Sequence, residues 1–461
     1  MAINRPSLVV VVAAMAAGLP GGPGPAALSA GGPRAGRPQQ QEIQLRITGD
    51  AGALPRYAVP DFIAISRDAE SVEAARLIGQ VLWADLAFER EFDLIPRDTY
   101  VSIPPARSLG DVPFDRWREL GADALVVGTV TRTGDQLRVE MRLFQVRDRR
   151  AAMAREYTGS AANPRLYAHT IADEVHQLQV GLQGVARTKL AFTSDRDGAR
   201  IGDSVEARAV KEIYIADYDG MNQRRVTVNR GLNIAPTWSP DGRAIGFTSY
   251  RKGFPDLFIS SIYQGTPPEN PTRGQGNNYF TAWSPDGTRI AFMSSRDGNP
   301  ELYVMNRDGS GVRRLTSHPA ADGSPAWSPT GTQIAFVSDR SGTPQVYLIG
   351  ADGRDLRRLT SESYCDRPTW SPAPHNEIAY AARSGAGFDI RAHDLASGET
   401  RSITGGEGSN ESPCYAPNGR HLAFSSTRSG GRPQIFTIGR DGRDVRQVTR
   451  AGSSQMPDWS R

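Results

Sequence analysis

Cysteine is almost missing from this chain: only Cys365 and Cys414 in 461 residues, which excludes a disulfide-built scaffold and any four-cysteine metal site. Lysine occurs only at Lys189, Lys211 and Lys252, so arginine carries nearly all the positive charge. Lys+Arg 54 against Asp+Glu 50 leaves a net +4 and a pI of about 9.1. No run of like charges builds the basic face or tail of a nucleic-acid binder, and none is expected to bind. Long apolar runs are lacking too. Beyond the first thirty residues nothing approaches the ~18 continuous apolar residues of a membrane span. The peptides of common catalysts are absent from the sequence: Gly-x-Ser-x-Gly of a hydrolase elbow, His-Glu-x-x-His of a zinc site, and any Gly-Lys pair for a phosphate loop. No catalytic residue, metal or cofactor is expected.

The remaining titratable motifs read as structural. His169 and His176 lie seven apart on an expected helix, which suits a helix surface or a domain junction. His318, His375, His393 and His421 are scattered through different positions. Asp195-x-Asp197-Gly198 and Asp217-x-Asp219-Gly220 fall short of a calcium loop, and turn chemistry explains them.

Turn formers, by contrast, are plentiful, with Gly 48 and Pro 32. At the start, Arg5, the apolar stretch Leu8 to Leu19 and Ala27-Leu28-Ser29 read as a secretory signal cleaved before Ala30. Residues 30–41 form a flexible Gly/Pro/Gln-rich leader. The expected mature product is exported, soluble and without a membrane anchor. Export permits a disulfide, but Cys365 lies five residues before its repeat aromatic and Cys414 one before. An offset of four strand residues is about 13 Å, beyond the roughly 4.4–6.8 Å that a disulfide spans. Both thiols are expected to be free.

A repeat fills the second half. Trp238-Ser-Pro, Trp283-Ser-Pro, Trp327-Ser-Pro, Trp370-Ser-Pro, Tyr415-Ala-Pro and Trp459-Ser follow one another at spacings of 45, 44, 43, 45 and 44 residues. A turn such as Asp286-Gly287 comes next, then a short apolar strand such as Ile290-Ala-Phe292, a third strand, and a fourth ending Arg-Arg-Leu-Thr. Four strands at a period near 44 residues predict propeller blades. The last unit stops after its first strand, and its missing strands stand at the front: Leu190-Ala-Phe192, Ile213-Tyr-Ile215 and Arg225-Val-Thr227. Six blades follow, one stitched from both ends of the propeller so that no sheet edge is left open. An insertion of about ten residues is expected between Gly198 and Glu212. The tryptophans recur once per blade, as packing residues do, rather than at the unique positions of a sugar platform.

Residues 42–185 lack the repeat. Strands are expected at Glu42 to Thr48, Phe62 to Ser66, Ala124 to Val130 and Leu137 to Val146. Helices are expected at Asp68 to Phe88, with Ile78, Leu82 and Leu86 on one face, and at Pro164 to Leu182 behind Asn163 as N-cap. The fold class is multi-domain: a small N-terminal α/β domain (42–185), then a six-bladed β-propeller (186–461).

The repeat Trp283-Ser-Pro-Asp-Gly-Thr-Arg-Ile-Ala-Phe-Met-Ser-Ser-Arg-Asp-Gly298 resembles that of the TolB family, periplasmic propeller proteins of the Tol-Pal envelope system. Three further stretches sharpen the likeness: Gly121-Ala-Asp-Ala-Leu-Val-Val-Gly-Thr-Val130, His169-Thr-Ile-Ala-Asp-Glu-Val175 with Gly184 to Phe192 behind it, and Asp217-Tyr-Asp-Gly-Met-Asn-Gln223. It departs from the family in its leader, in the hairpin at 373–376, and in Tyr415 where tryptophan recurs. The resemblance implies a non-enzymatic, monomeric periplasmic adaptor that links the lipoprotein Pal to the inner-membrane protein TolA and supports outer-membrane integrity and division. The segment matching the TolA-binding stretch is 42–53, with Glu42, Ile43, Gln44, Leu45, Arg46, Ile47 and Thr48 at its head. The Pal face corresponds to loops before the aromatic strands, which here carry Asn277, Asn278, Asp322, Ser324, Asp366 and Glu411. The alternative is an exported propeller with a hydrolase- or peptidase-accessory role, or one that binds glycans.

Overall fold

Each aromatic-Ser-Pro segment is the inner strand of a blade, and six of them ring a central channel. The computed structural model describes residues 54–201 and 208–461. Inner strands run Asn233–Trp238, Asn278–Trp283, Asp322–Trp327, Cys365–Trp370, Asn410–Tyr415 and Ser454–Trp459 in blades 1 to 6. Blade 6 closes the ring as expected: Ser454–Trp459 pairs with Lys189–Ser194, followed by Glu212–Asp217 and Arg224–Arg225. Blades 2 to 5 have four strands each. Blade 1 has three, and a single Ile259–Glu269 bridge stands where the fourth would be. The expected insertion contains the small ladder Arg200–Ile201 with Arg208–Ala209.

The second strands supply the blade cores. Phe192, Phe247, Phe292, Phe336, Tyr380 and Phe424 recur once per blade, each no more than 1% exposed. At roughly 25 cal/mol per Å² of apolar surface buried, each contributes on the order of 2–3 kcal/mol. Over four of them lies an arginine from a Ser-x-Arg turn. Arg296 sits 5.2 Å from the Phe292 ring and 5.0 Å from that of Tyr303, and its Nε donates to Ser294 Oγ at 3.0 Å. Arg196, Arg340 and Arg428 repeat that placement in blades 6, 3 and 5. Cys365 and Cys414 are free and buried.

Ahead of the propeller lies an α/β domain of β1 (Arg56–Ala58), β2 (Ile63–Ala64), α1 (Ala69–Glu89), β3 (Asp93–Leu94), α2 (Phe114–Glu119), β4 (Ala124–Thr133), β5 (Gln136–Gln145), β6 (Arg150–Ser160) and α3 (Pro164–Val180). The sheet order is β3-β1-β4-β5-β6, and β2 pairs with the far half of β4. Asp68 caps α1 by accepting from the Ser71 N–H at 2.8 Å. Ile78, Leu82 and Leu86 are fully buried, as their spacing predicts. Two expectations change here. The strand anticipated at Phe62 to Ser66 is only Ile63–Ala64, and Asn163 precedes α3 without a side-chain cap bond. The strand expected at Glu42 to Thr48 lies outside the described residues. Among the described residues no helix is long and apolar enough to cross a membrane.

The two histidines of α3 face the propeller. His169 Nδ1 lies 2.8 Å from Asp85 of α1, and its Nε2 3.8 Å from Asp217 of blade 6. Burial opposes its charge, but the nearby Asp217 carboxylate and the hydrogen bond to Asp85 outweigh burial and lift His169 to about 9. Two turns on, His176 Nε2 lies 2.8 Å from Arg420 of blade 5, which also holds Glu89 at 2.6 Å and pairs with Glu91. These buried polar bonds and the shared apolar core around Leu86, Val175, Phe192 and Trp459 join the two domains.

Candidate partner-binding mouth of the propeller channel

All six inner strands share a bulge. Their register slips near the fourth residue, and the third residue takes a positive φ: Ala235 52°, Phe280 57°, Ser324 49°, Arg367 52°, Ser412 52°, Met456 54°. An extra residue in one strand kinks it and re-aims a side chain, and these six residues line the channel, a cavity of about 500 Å³. Proline follows at five of the six positions, Pro236, Pro325, Pro368, Pro413 and Pro457. Its missing N–H is tolerated because this edge faces the channel and not another strand.

At one mouth, Arg367 reaches across the opening. Its guanidinium lies 4.2 Å from the Phe280 ring of blade 2 and 3.7 Å from Met456 Sδ of blade 6. Burial lowers its basicity, while Asp366 and Glu411 act in the opposite sense. Aromatic side chains stand around the same end. Tyr250 and Tyr279 meet at 3.4 Å between hydroxyls. Tyr364 and Phe388 pack at 5.5 Å between centroids, with Arg383 over both. None of these was singled out from the sequence, because they stand on loops, bulges and strand ends where the repeat varies.

The six residues anticipated for this mouth divide. Ser324 and Asp366 meet across blades 3 and 4, the hydroxyl donating to Oδ1 at 3.3 Å. Glu411 is exposed and accepts from Ser409 Oγ at 2.8 Å. Asn277 is exposed. Asn278 and Asp322, however, are 0% exposed and offer a partner no surface. They begin their strands where Asn233, Cys365, Asn410 and Ser454 begin theirs, a once-per-blade position that anchors an arginine lid in four blades. Asp322 holds Arg340 at 2.6 Å, and Asn278 Oδ1 accepts from Arg296 at 3.4 Å. Asparagine serves at this position in three blades, so Asp322→Asn is expected to cost under about 1 kcal/mol. Asp322→Leu strands a mostly buried Arg340 and should cost about 3 kcal/mol. Neither exposes new surface at the mouth. Urea unfolding midpoints check the difference.

At the opposite end the tryptophans reach between blades. Trp283 Nε1 donates to Thr237 O at 3.3 Å and Trp327 Nε1 to Ala282 O at 3.0 Å, each reaching the blade before it. Buried indoles spent on such bonds do not form a sugar platform.

Residues 177–461 match the profile described as the TolB beta propeller domain, and residues 43–152 that of the TolB amino-terminal domain. The chain belongs to the TolB family. The Tol-Pal system protein TolB of Desulfosudis oleivorans is 35% identical over 207 residues, 44% of this chain and 45% of that one. Its namesake in Anaeromyxobacter dehalogenans is 36% identical over 263 residues, 57% and 58% of the two chains. The chain thus matches about half the length of these curated relatives. The crystal structure of TolB from Acinetobacter baumannii superposes with a TM-score of 0.69 at 23% identity, over 88% of this chain and 97% of that one. That likeness extends to the TolB fold as a whole, α/β domain and six-bladed propeller together.

Proposed function

We propose that the chain is a non-enzymatic periplasmic adaptor of the Tol-Pal system, binding Pal at the Arg367 mouth and TolA through residues 42–53. The observation that carries this reading is the order of the two TolB profiles along one chain, amino-terminal domain and then propeller. The mouth supports it chemically. Aromatic faces, one spanning arginine and a rim of Asp366, Glu411 and Asn277 have the composition of a protein-binding hot spot with a polar edge. Residues 42–53 lie outside the described residues, and their alternating sequence suits a peptide that adds to a sheet edge. When that segment docks on the body, TolA loses its site; when it is released, TolA binds. Pal influences TolA binding only to the extent that it prefers one of the two states.

Calorimetric titration of the mature protein with purified Pal tests the reading. Arg367→Ala/Tyr279→Ala is expected to weaken binding at least about tenfold, while Asp322→Asn leaves it unchanged. Equal binding by both variants would move the Pal site off this mouth. Absence of binding to Pal would defeat the adaptor reading.

A further inference from the structure

A second surface lies at the other end of α1 from the propeller junction. Glu89 at the C-terminal end of α1 meets Arg420. Val72, seventeen positions earlier, stands about 25 Å away at 1.5 Å per residue. There, β2, the first turn of α1 and the segment around Val101 enclose a groove of about 760 Å³. Its floor is apolar, with Phe62, Val127 and Trp117. The aliphatic side chains on its rim are left in water: Val101 is 92% exposed, Ile65 53% and Val72 48%. Three aliphatics converging on one groove at such exposure make the kind of contiguous patch that marks an interaction site.

Two further observations define what would fill it. The first is an unpaired strand edge. In β2, Ile63 pairs with Thr129 and Ala64 with Val130 in parallel register, and Ile65 N donates to Val130 O at 3.0 Å. This register turns the N–H and C=O of Ala64 away from β4, and among the described residues no other strand pairs with β2. The second is charge. Arg97 is engaged by Val59 O and Asp61, and Arg76 by Glu73. Arg67 and Arg107, both lining the groove and both exposed, have no ion-pair or hydrogen-bond partner among the described residues. Asp98 is the one groove carboxylate likewise without a partner. The balance favours an anionic occupant.

We infer that this groove docks an extended acidic segment of a partner protein, added in strand fashion along Ala64, with alternate aliphatic side chains against Val101 and Ile65 and its carboxylates at Arg67 and Arg107. The occupant is assigned to another protein on charge: the chain's own residues 30–53 carry Arg34, Arg37 and Arg46 against Glu42 and Asp50, the wrong balance for this groove. The inference is independent of the Pal reading, since the groove and the channel mouth share no residue.

The test pans a displayed library of random ten-residue peptides on the full chain, with Arg67→Glu/Arg107→Glu as counter-selection. The expected result is enrichment of peptides that alternate Asp or Glu with Val, Ile or Leu. A synthetic copy of one should bind the full chain and lose at least about tenfold in affinity on Val101→Asp and on the double variant. The replaced side chains are exposed, so thermal midpoints and Pal binding should not move. Enriched peptides without acidic residues, equal binding to both forms, or no enrichment would each overturn the proposal. Binding that appears only after deletion of residues 42–53 would overturn it too, because the chain's own segment would then be the occupant.

Discussion

Deleting Ser454–Arg461 should abolish the cooperative unfolding transition, and Trp459→Ala alone should cost about 4 kcal/mol. The eight residues supply the inner strand of blade 6, so their loss leaves Lys189–Ser194 with an unpaired edge and opens the ring between blades 5 and 1. Ser460 and Lys189 exchange two bonds at 2.8 Å, one through the Ser460 hydroxyl and one through its backbone N–H. Trp459 is 5% exposed, and its Nε1 donates to Thr188 Oγ1 at 2.7 Å. It belongs to the apolar cluster that also holds Val175 and Val185 from the α/β side. One truncation therefore acts on ring closure and domain docking together. Trp327→Ala in blade 3 is the matched control: a comparable cavity, ring intact, cooperativity kept. Urea unfolding followed by tryptophan fluorescence separates them, and a synthetic Ser454–Arg461 peptide added in trans should partly restore the deleted form. A deletion that unfolds at the full-length midpoint would mean that closure does not hold this propeller together.

Ring closure was legible because the period is carried by residues that cannot be moved. An aromatic packs against the preceding blade, a proline faces the channel, and a tight turn follows. The polar first position of each inner strand keeps the same period: Asn233, Asn278, Asp322, Cys365, Asn410 and Ser454. Read by the rule that made the tryptophans structural, Asn278 and Asp322 belong to the arginine lids; their polarity made them look like contacts. The converse holds for Arg367, Tyr279 and Tyr364. They stand where the repeat tolerates anything, so only the bulge geometry and the ring contacts pick them out. β6 escaped notice for a simpler reason. Met153 is its one buried residue, and an edge strand with a single inward side chain writes no alternation into the sequence. His169 and His176 were read as surface or junction residues. Their seven-residue spacing puts both on one face of α3, but the sequence does not say that the propeller lies against that face.

That junction makes a pH-dependent prediction. Arg420→Met should destabilise the protein by about 3 kcal/mol at pH 8, and the loss should shrink as pH falls through 6 and vanish near 4.5. Glu89 is 5% exposed; burial pushes its carboxyl up to about 7, while Arg420 and the Val185 N–H pull it down. A carboxyl raised in the fold carries its proton where the unfolded chain has lost it. Stability linked to Glu89 is therefore full below the unfolded value near 4.5 and declines as pH rises towards 7 and beyond. Removing Arg420 removes an opposing attraction, raises Glu89 further and deepens the decline; below 4.5 both states are protonated and the difference closes. His176 works in the same direction. Burial and Arg420 hold its proton affinity down, and its Nε2 lies 4.0 Å from Glu89. Without the guanidinium, His176 can take up a proton at acid pH and face Glu89 in its place. Glu91 and Asn418 lose the same arginine, but Glu91 is partly exposed and Asn418 is uncharged. His421, held down to about 3 by burial and then by Arg420, destabilises both forms below pH 6.5 and largely cancels in the comparison. Urea midpoints for wild type and Arg420→Met at pH 5, 6.5 and 8 measure the slope. A loss of equal size at all three would show that Arg420 acts through packing alone, and that the charge of Glu89 plays no part in holding the α/β domain to blade 5.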